Sequence, residues 1–193
     1  MTSILKPKME EWGHPIQVSQ AQKVLWERMK ILWNKFCGLI PEPSLDIGAA
    51  SKKGRTVSLD PYPRGDIDVR AIAEFLPFKD NYFVSIVLES VLKHVINPEK
   101  VLSEARRVSR NNSYLFFTSP VNVTDKHRHS FTSSEVISLL DRAGYKVVKK
   151  RGIGLASTRL DKLLRRVSIT FYLFIRVPLR YCRVVFLVCK SKS

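Results

Sequence analysis

From Pro43 onward the chain alternates between short apolar runs and capped amphipathic stretches, and this alternation limits the fold more than any other feature. Ser44–Ile47, Val57–Leu59, Tyr82–Leu88, Tyr114–Thr118 and Tyr145–Val148 read as strands, and Val184–Cys189, rich in β-branched and aromatic residues, reads as a last one. Two helices stand between them. Asn97 followed by Pro98 is a cap and first-turn pair, with Val101, Leu102, Ala105 and Val108 on one face. Thr132 with Glu135 forms a capping box, Phe131 can staple onto Val136, and the helix stops at Gly144. Strands alternating with helices predict an α/β fold, a doubly wound and mostly parallel Rossmann-like sheet covered on both faces.

Residues 1–42 read as an N-terminal segment and helix. An irregular lead through Val18 precedes a helix over Ser19–Gly38, opened by the Ser19/Gln22 capping box and carrying Leu25, Met29, Leu32 and Phe36 at helical spacing. Residues 43–193 then form the α/β domain, with a basic C-terminal part at 155–193. No apolar run reaches about 18 residues, and the first residues lack the apolar stretch of a signal peptide. Cys37, Cys182 and Cys189 are too few and scattered for a disulfide framework, so a reducing, cytoplasmic location is expected.

Charge is uneven. The chain carries 33 Lys and Arg against 17 Asp and Glu, a net +16. From Arg142 to the end there are 14 basic residues and one acid, Asp161, leaving only +3 for everything before. Such asymmetry suits an anionic partner, either nucleic acid or an anionic membrane surface. It equally suits arginine stems that cover apolar surface while their heads stay in water.

In a doubly wound sheet, ligands sit outside the carboxyl ends of the strands. The first strand ends in Asp46-Ile47-Gly48-Ala49-Ala50, where a glycine lets a ligand approach the backbone. The second ends in Asp60-Pro61, and a carboxylate there can accept both hydroxyls of a ribose. Asp60 lies only 12 residues beyond Gly48, whereas the dinucleotide fingerprint places its acid about 20 residues on. The segment between is too short for a full crossover helix and has no second or third fingerprint glycine in register, which argues against nicotinamide and flavin cofactors.

The stretch Ala73-Glu74-Phe75-Leu76-Pro77-Phe78-Lys79-Asp80-Asn81-Tyr82-Phe83 resembles the A-E-x-L-P-F-x-D-x-x-F segment of class I S-adenosylmethionine-dependent methyltransferases of the type 11 family. Ser90-Val91-Leu92-Lys93-His94-Val95 looks like that family's V-L-E-H helix start, and Val101 to Val108 like its L-x-E-x-x-R-V helix. Ser119-Pro120, His129-Ser130-Phe131-Thr132 and Ala143-Gly144-Tyr145 follow in the family's order, so the resemblance covers about Leu45 to Val148. It implies a seven-stranded sheet with the last strand inserted antiparallel, and S-adenosylmethionine as cofactor. Asp46, Gly48, Ala49 and Ala50 would face its methionine part, and Asp60 would bind the ribose with Pro61 beside the adenine. Ala73 and Glu74 would lie along the adenine edge, and Glu89 with Ser90 near the sulfonium.

The sequence departs from the family in its abbreviated first crossover, in Ile72 and Val84 where acids are usual, in Lys93 for Glu, and in Asn111-Asn112-Ser113 for a Pro-Gly-Gly turn. The reading is a methyltransferase acting on an unidentified small-molecule or macromolecular acceptor. The alternative is a non-catalytic scaffold of the same fold that binds an anionic partner through its basic end. No catalytic base is legible, since methyl transfer needs mainly alignment. His94 is a candidate acceptor-side group, although a capping or packing role is the commoner one for such a histidine. His127, with His129 and Asp125, makes a poor metal set and reads as a polar loop at most contributing to an acceptor pocket.

Overall fold

The computed structural model describes residues 31–36, 38–52, 54, 56–122, 128–155 and 177–192. The N-terminal lead, the expected helix up to residue 30, Cys37, Asp125, His127 and residues 156–176 lie outside them.

Residues 31–36 are helical (α1). Six strands follow: β1 (Ser44–Ile47), β2 (Val57–Leu59), β3 (Phe83–Glu89), β4 (Ser109–Pro120), β5 (Tyr145–Leu155) and β6 (Cys182–Ser191). Helix α2 (Pro98–Val108) joins β3 to β4, and α3 (Ser133–Arg142) joins β4 to β5. The sheet order is β2-β1-β3-β4-β6-β5. The first four strands run parallel, and β6 enters antiparallel to both β4 and β5. Where the resemblance implies seven strands, the described residues form six. Beyond β2, at the edge, a single parallel bridge joins Leu59 to Val69.

Both faces are covered because apolar side chains alternate across each strand. Leu115 and Phe117 of β4, with Leu187 and Cys189 of β6, pack toward Val101, Leu102 and Ala105 of α2 and Val136 and Leu140 of α3. Phe116, Phe186 and Val188 point the other way, onto Leu32, Trp33 and Phe36 of α1. Lys149 of β5 lies over the Phe36 ring and donates to the Phe36 carbonyl.

Helix starts follow their caps. The Asn97 side chain accepts from the Lys100 amide at 3.0 Å, and Thr132 and Glu135 satisfy one another's backbone reciprocally. The helix expected to open near His94 instead begins at Pro98, and residues 92–94 form a turn. A helix running through His94 would carry Pro98 in its interior, losing a backbone hydrogen bond and driving the ring into the preceding turn. Proline also turns Asn97 out of the helical region, which makes it a cap.

The segments that carry the family resemblance interlock. The Arg107 guanidinium donates to the carbonyls of Leu76 (2.9 Å) and Phe78 (2.8 Å), to Asp80 (2.6 Å), and to both carboxylate oxygens of Glu104 (2.7 and 3.0 Å). Glu104 also accepts the Leu76 amide at 3.0 Å. The L-P-F-x-D stretch is thus a loop strapped to α2. The Arg107 hydrogen bonds, foremost, hold the Glu104 carboxyl down at about 2, and the Glu104 and Asp80 carboxylates raise the Arg107 guanidinium further above its ordinary value. A depressed carboxyl stabilises the fold above its unfolded value near 4.5, and the contribution is lost as pH falls toward 2. Urea midpoints measured from pH 6 to pH 3 should therefore fall more steeply for the natural chain than for Glu104→Gln. Equal slopes would remove Glu104 as a source of acid sensitivity.

Candidate functional site at the carboxyl edge

Ile47 of β1 is in register with Leu59 of β2 on one side and Leu88 of β3 on the other. The next residues, Asp60, Gly48 and Glu89, therefore form one row across the carboxyl ends of three adjacent parallel strands. Two carboxylates flank a glycine, with backbones about 10 Å apart at two inter-strand spacings. Asp46 lies buried two residues before the glycine, paired in register with Ser58 and Val87.

The bend after β1 requires its glycine twice over. Gly48 has φ +74°, and a Cβ placed on it would stand 2.6 Å from Val91 Cγ2. The turn after β3 consequently seats Val91 directly on the bend. The amides of Gly48 and Ala49 both donate to the Leu59 carbonyl, at 2.7 and 3.2 Å. The Ala50 amide donates to Asp60 Oδ2 at 3.1 Å, and the Tyr62 amide to Asp60 Oδ1 at 2.7 Å. These two bonds fix the Asp60 carboxylate, while each oxygen keeps acceptor capacity for a further donor. Ala50 itself is held at φ +55°.

Pro61 follows, half-buried. Ala73 and Glu74 are buried, and Glu74 Oε1 accepts the Ile96 amide at 2.8 Å and the Asn97 amide at 3.4 Å. Glu74 thus satisfies amides at the entrance to α2, where unpaired N–H groups favour a carboxylate. Glu89 is exposed at the strand end, and Ser90, at φ +59°, donates its amide to the Thr118 carbonyl at 2.8 Å. His94 is half-buried, with its amide on the Val91 carbonyl at 2.9 Å. Nearby, the His129 ring stacks on Phe131 and its Nε2 lies 3.0 Å from the Val95 carbonyl. Asp46, Gly48, Ala49, Ala50, Asp60, Pro61, Glu89 and Ser90 are therefore brought to one edge. Glu74 is directed at the helix entrance.

Two groups of residues at this edge escaped the sequence reading. Asn122, at φ +53°, donates to the carbonyls of Leu179 and Cys182 at 3.0 Å each, and so ties the end of β4 to the turn before β6. Asp68 accepts Ser58 Oγ (2.7 Å), the Ser58 amide (3.0 Å) and Lys52 Nζ. The Lys52 hydrogen bond, foremost, holds the Asp68 carboxyl down at about 2. Among the described residues no group of three or more His, Cys, Asp or Glu could hold a metal ion, and no helix is long and apolar enough to cross a membrane.

A sheet of this order, with its last strand reversed between β4 and β5 and carboxylates at the ends of the parallel strands, defines the class I S-adenosylmethionine-dependent methyltransferase fold. Residues 45–117 match the family described as the methyltransferase domain. Among solved structures, a chain of the complex between the Haloferax volcanii Trm112 methyltransferase activator and a methyltransferase is similar, with TM-score 0.64 and 12% identity. That match covers 98% of this chain and 100% of that one. A Thermotoga maritima methyltransferase, described as a possible histamine N-methyltransferase, matches with TM-score 0.57 and 17% identity over 90% of this chain and 97% of its own. The [4+2]-cyclase SpnF matches with TM-score 0.59 and 14% identity over 86% and 81%. No curated protein matches the chain in sequence. One fold thus carries more than one named activity, so the reaction must be argued from the site.

Proposed function

We propose that this chain is an S-adenosylmethionine-dependent methyltransferase whose cofactor lies across the carboxyl ends of β2, β1 and β3. The observation that carries the reading is the Asp60–Gly48–Glu89 row, in which a pre-oriented carboxylate able to accept ribose hydroxyls stands beside a glycine that opens the backbone. The donor and acceptor chemistry fits. Asp60 keeps acceptor capacity for ribose hydroxyls, and the buried Asp46 carboxylate beneath the bend would draw the ammonium of a methionine end.

When bound, S-adenosylmethionine supplies a methyl group on a sulfonium, already a good electrophile. The residues need only hold and orient. Asp60 would accept the ribose hydroxyls, Pro61 would lie beside the adenine with Ala73 and Glu74 along its edge, and Glu89 and Ser90 would border the sulfonium. His94, on the turn after β3, would stand on the acceptor side, where the acceptor, small or macromolecular, aligns with the methyl group; His127 lies outside the described residues and remains a candidate from the sequence alone. We assign the chain to the cytoplasm.

Saturating S-adenosylhomocysteine at about 100 times its Kd should stabilise the fold by about 2.7 kcal/mol, which for a chain of this size raises Tm by about 5–10 °C. No shift in a folded protein would favour the scaffold reading. Function would then be sought in the basic end, whose described part includes Lys146 of β5 directly opposite Lys190 of β6.

A further inference from the structure

The bend that carries Gly48 and Ala50 lacks the crossover helix that would ordinarily brace it, and another device occupies that role. Residues 60–69 leave β2, arch outward, and return so that Val69 bridges Leu59, with the Asp60 amide on the Val69 carbonyl (3.2 Å) and the Val69 amide on the Ser58 carbonyl (3.0 Å). The tip of the arch lands on the bend. The amides of Arg64 and Gly65 both donate to the Ala50 carbonyl, at 2.7 and 3.2 Å, and the Lys52 amide donates to the Asp66 carbonyl at 2.7 Å. Gly65 packs so closely that a Cβ there would meet Ser51 Cβ at 3.3 Å.

One side chain ties the three parts together. Asp68 binds Ser58 of β2 through both the amide and the hydroxyl, and grips Lys52 at the far end of the bend. Its own amide donates back to Ser58 Oγ at 3.1 Å. With Asp68 in place, Ala50 is fixed at both its amide and its carbonyl, and through the Ala50 amide so is the Asp60 carboxylate.

We infer that Asp68 is a positioning residue for the cofactor site, acting with Lys52 and Ser58 to strap the β1–β2 bend in place of a crossover helix. The inference rests on the methyltransferase reading above, because it makes the strapped bend the cofactor's seat. Asp68 touches no reacting atom in this account. It sets how rigidly Ala50 and Asp60 are held, and rigid positioning lowers the ordering cost of binding.

The test uses the full-length chain as the natural protein and as Asp68→Asn, Lys52→Met, the double variant, and the reversed pair Lys52→Asp/Asp68→Lys. Amide hydrogen exchange without ligand reads the strap directly. Asp68→Asn should speed exchange at Gly48, Ala49 and Ala50 at least tenfold while β3 and β4 are unchanged. Titration with S-adenosylhomocysteine reads the consequence. Each single variant should weaken affinity about tenfold, the double variant no more than either, and the reversed pair should regain part of the loss. Unchanged exchange in Asp68→Asn would overturn the strap. Faster exchange with undiminished affinity would overturn its link to the cofactor. If the natural chain itself fails to bind, the cofactor reading falls with the positioning role, and exchange alone still decides whether the strap exists.

Discussion

Arg107→Ala should lower the unfolding free energy by about 3 kcal/mol, the largest stability loss expected from a single side chain outside the apolar core. The guanidinium satisfies two backbone carbonyls, Leu76 and Phe78, and two carboxylates, Glu104 and Asp80. Removing it leaves the buried Glu104 carboxylate with only the Leu76 amide and a longer contact to Lys100 at 3.4 Å. Asp80 is exposed and contributes little, since water replaces its partner. At about 2–4 °C per kcal/mol for a chain of this length, Tm should fall by about 6–12 °C. Arg107→Lys should recover only a small part, because an ammonium cannot span two carbonyls and a carboxylate as the planar fork does. A loss below about 1 kcal/mol, measured by urea unfolding, would mean that the loop does not depend on this anchor.

The second large effect falls on binding. Asp60→Ala should weaken S-adenosylhomocysteine about a hundredfold. Two hydroxyl donors to one carboxylate are worth about 1.5–3 kcal/mol each, and part of that is recovered by water. The loss has two sources. The acceptors for the ribose disappear, and the amides of Ala50 and Tyr62 lose the partner that shapes the bend. Asp60→Asn separates them. It keeps one carbonyl acceptor and the side-chain volume, and should retain more of the loop order than of the affinity.

What the sequence made legible is what is encoded locally. The Asn97-Pro98 cap, the Thr132/Glu135 box and the alternating apolar positions of β4 and β6 were readable because each depends on neighbours a few residues away. The place of Gly48 and Asp60 just past β1 and β2 was readable because each follows a short apolar run. The strap was not, since Lys52, Ser58 and Asp68 meet only after β2 has paired and residues 60–69 have folded back. Glu74 shows the limit of a motif. Its place in the Ala-Glu pair suggested the adenine, while the unpaired amides at the start of α2, 22 residues on, engage its carboxylate. His94 failed as a helix start for a similar reason, because Pro98 four residues later resets where the helix begins. Much of what marked the chain as methyltransferase-like, from Leu76 to Asp80 and from Glu104 to Arg107, holds the fold together. The proposed chemistry rests on fewer residues, at the strand ends.

The most direct test is calorimetric titration of the natural chain and Asp60→Ala with S-adenosylhomocysteine at moderate salt, both shown to be folded by circular dichroism. One site of micromolar affinity in the natural chain, weakened about a hundredfold in Asp60→Ala, is the result expected of a cofactor seated on the Asp60–Gly48–Glu89 row. No heat of binding in the natural chain, or equal affinity in the two, would contradict it.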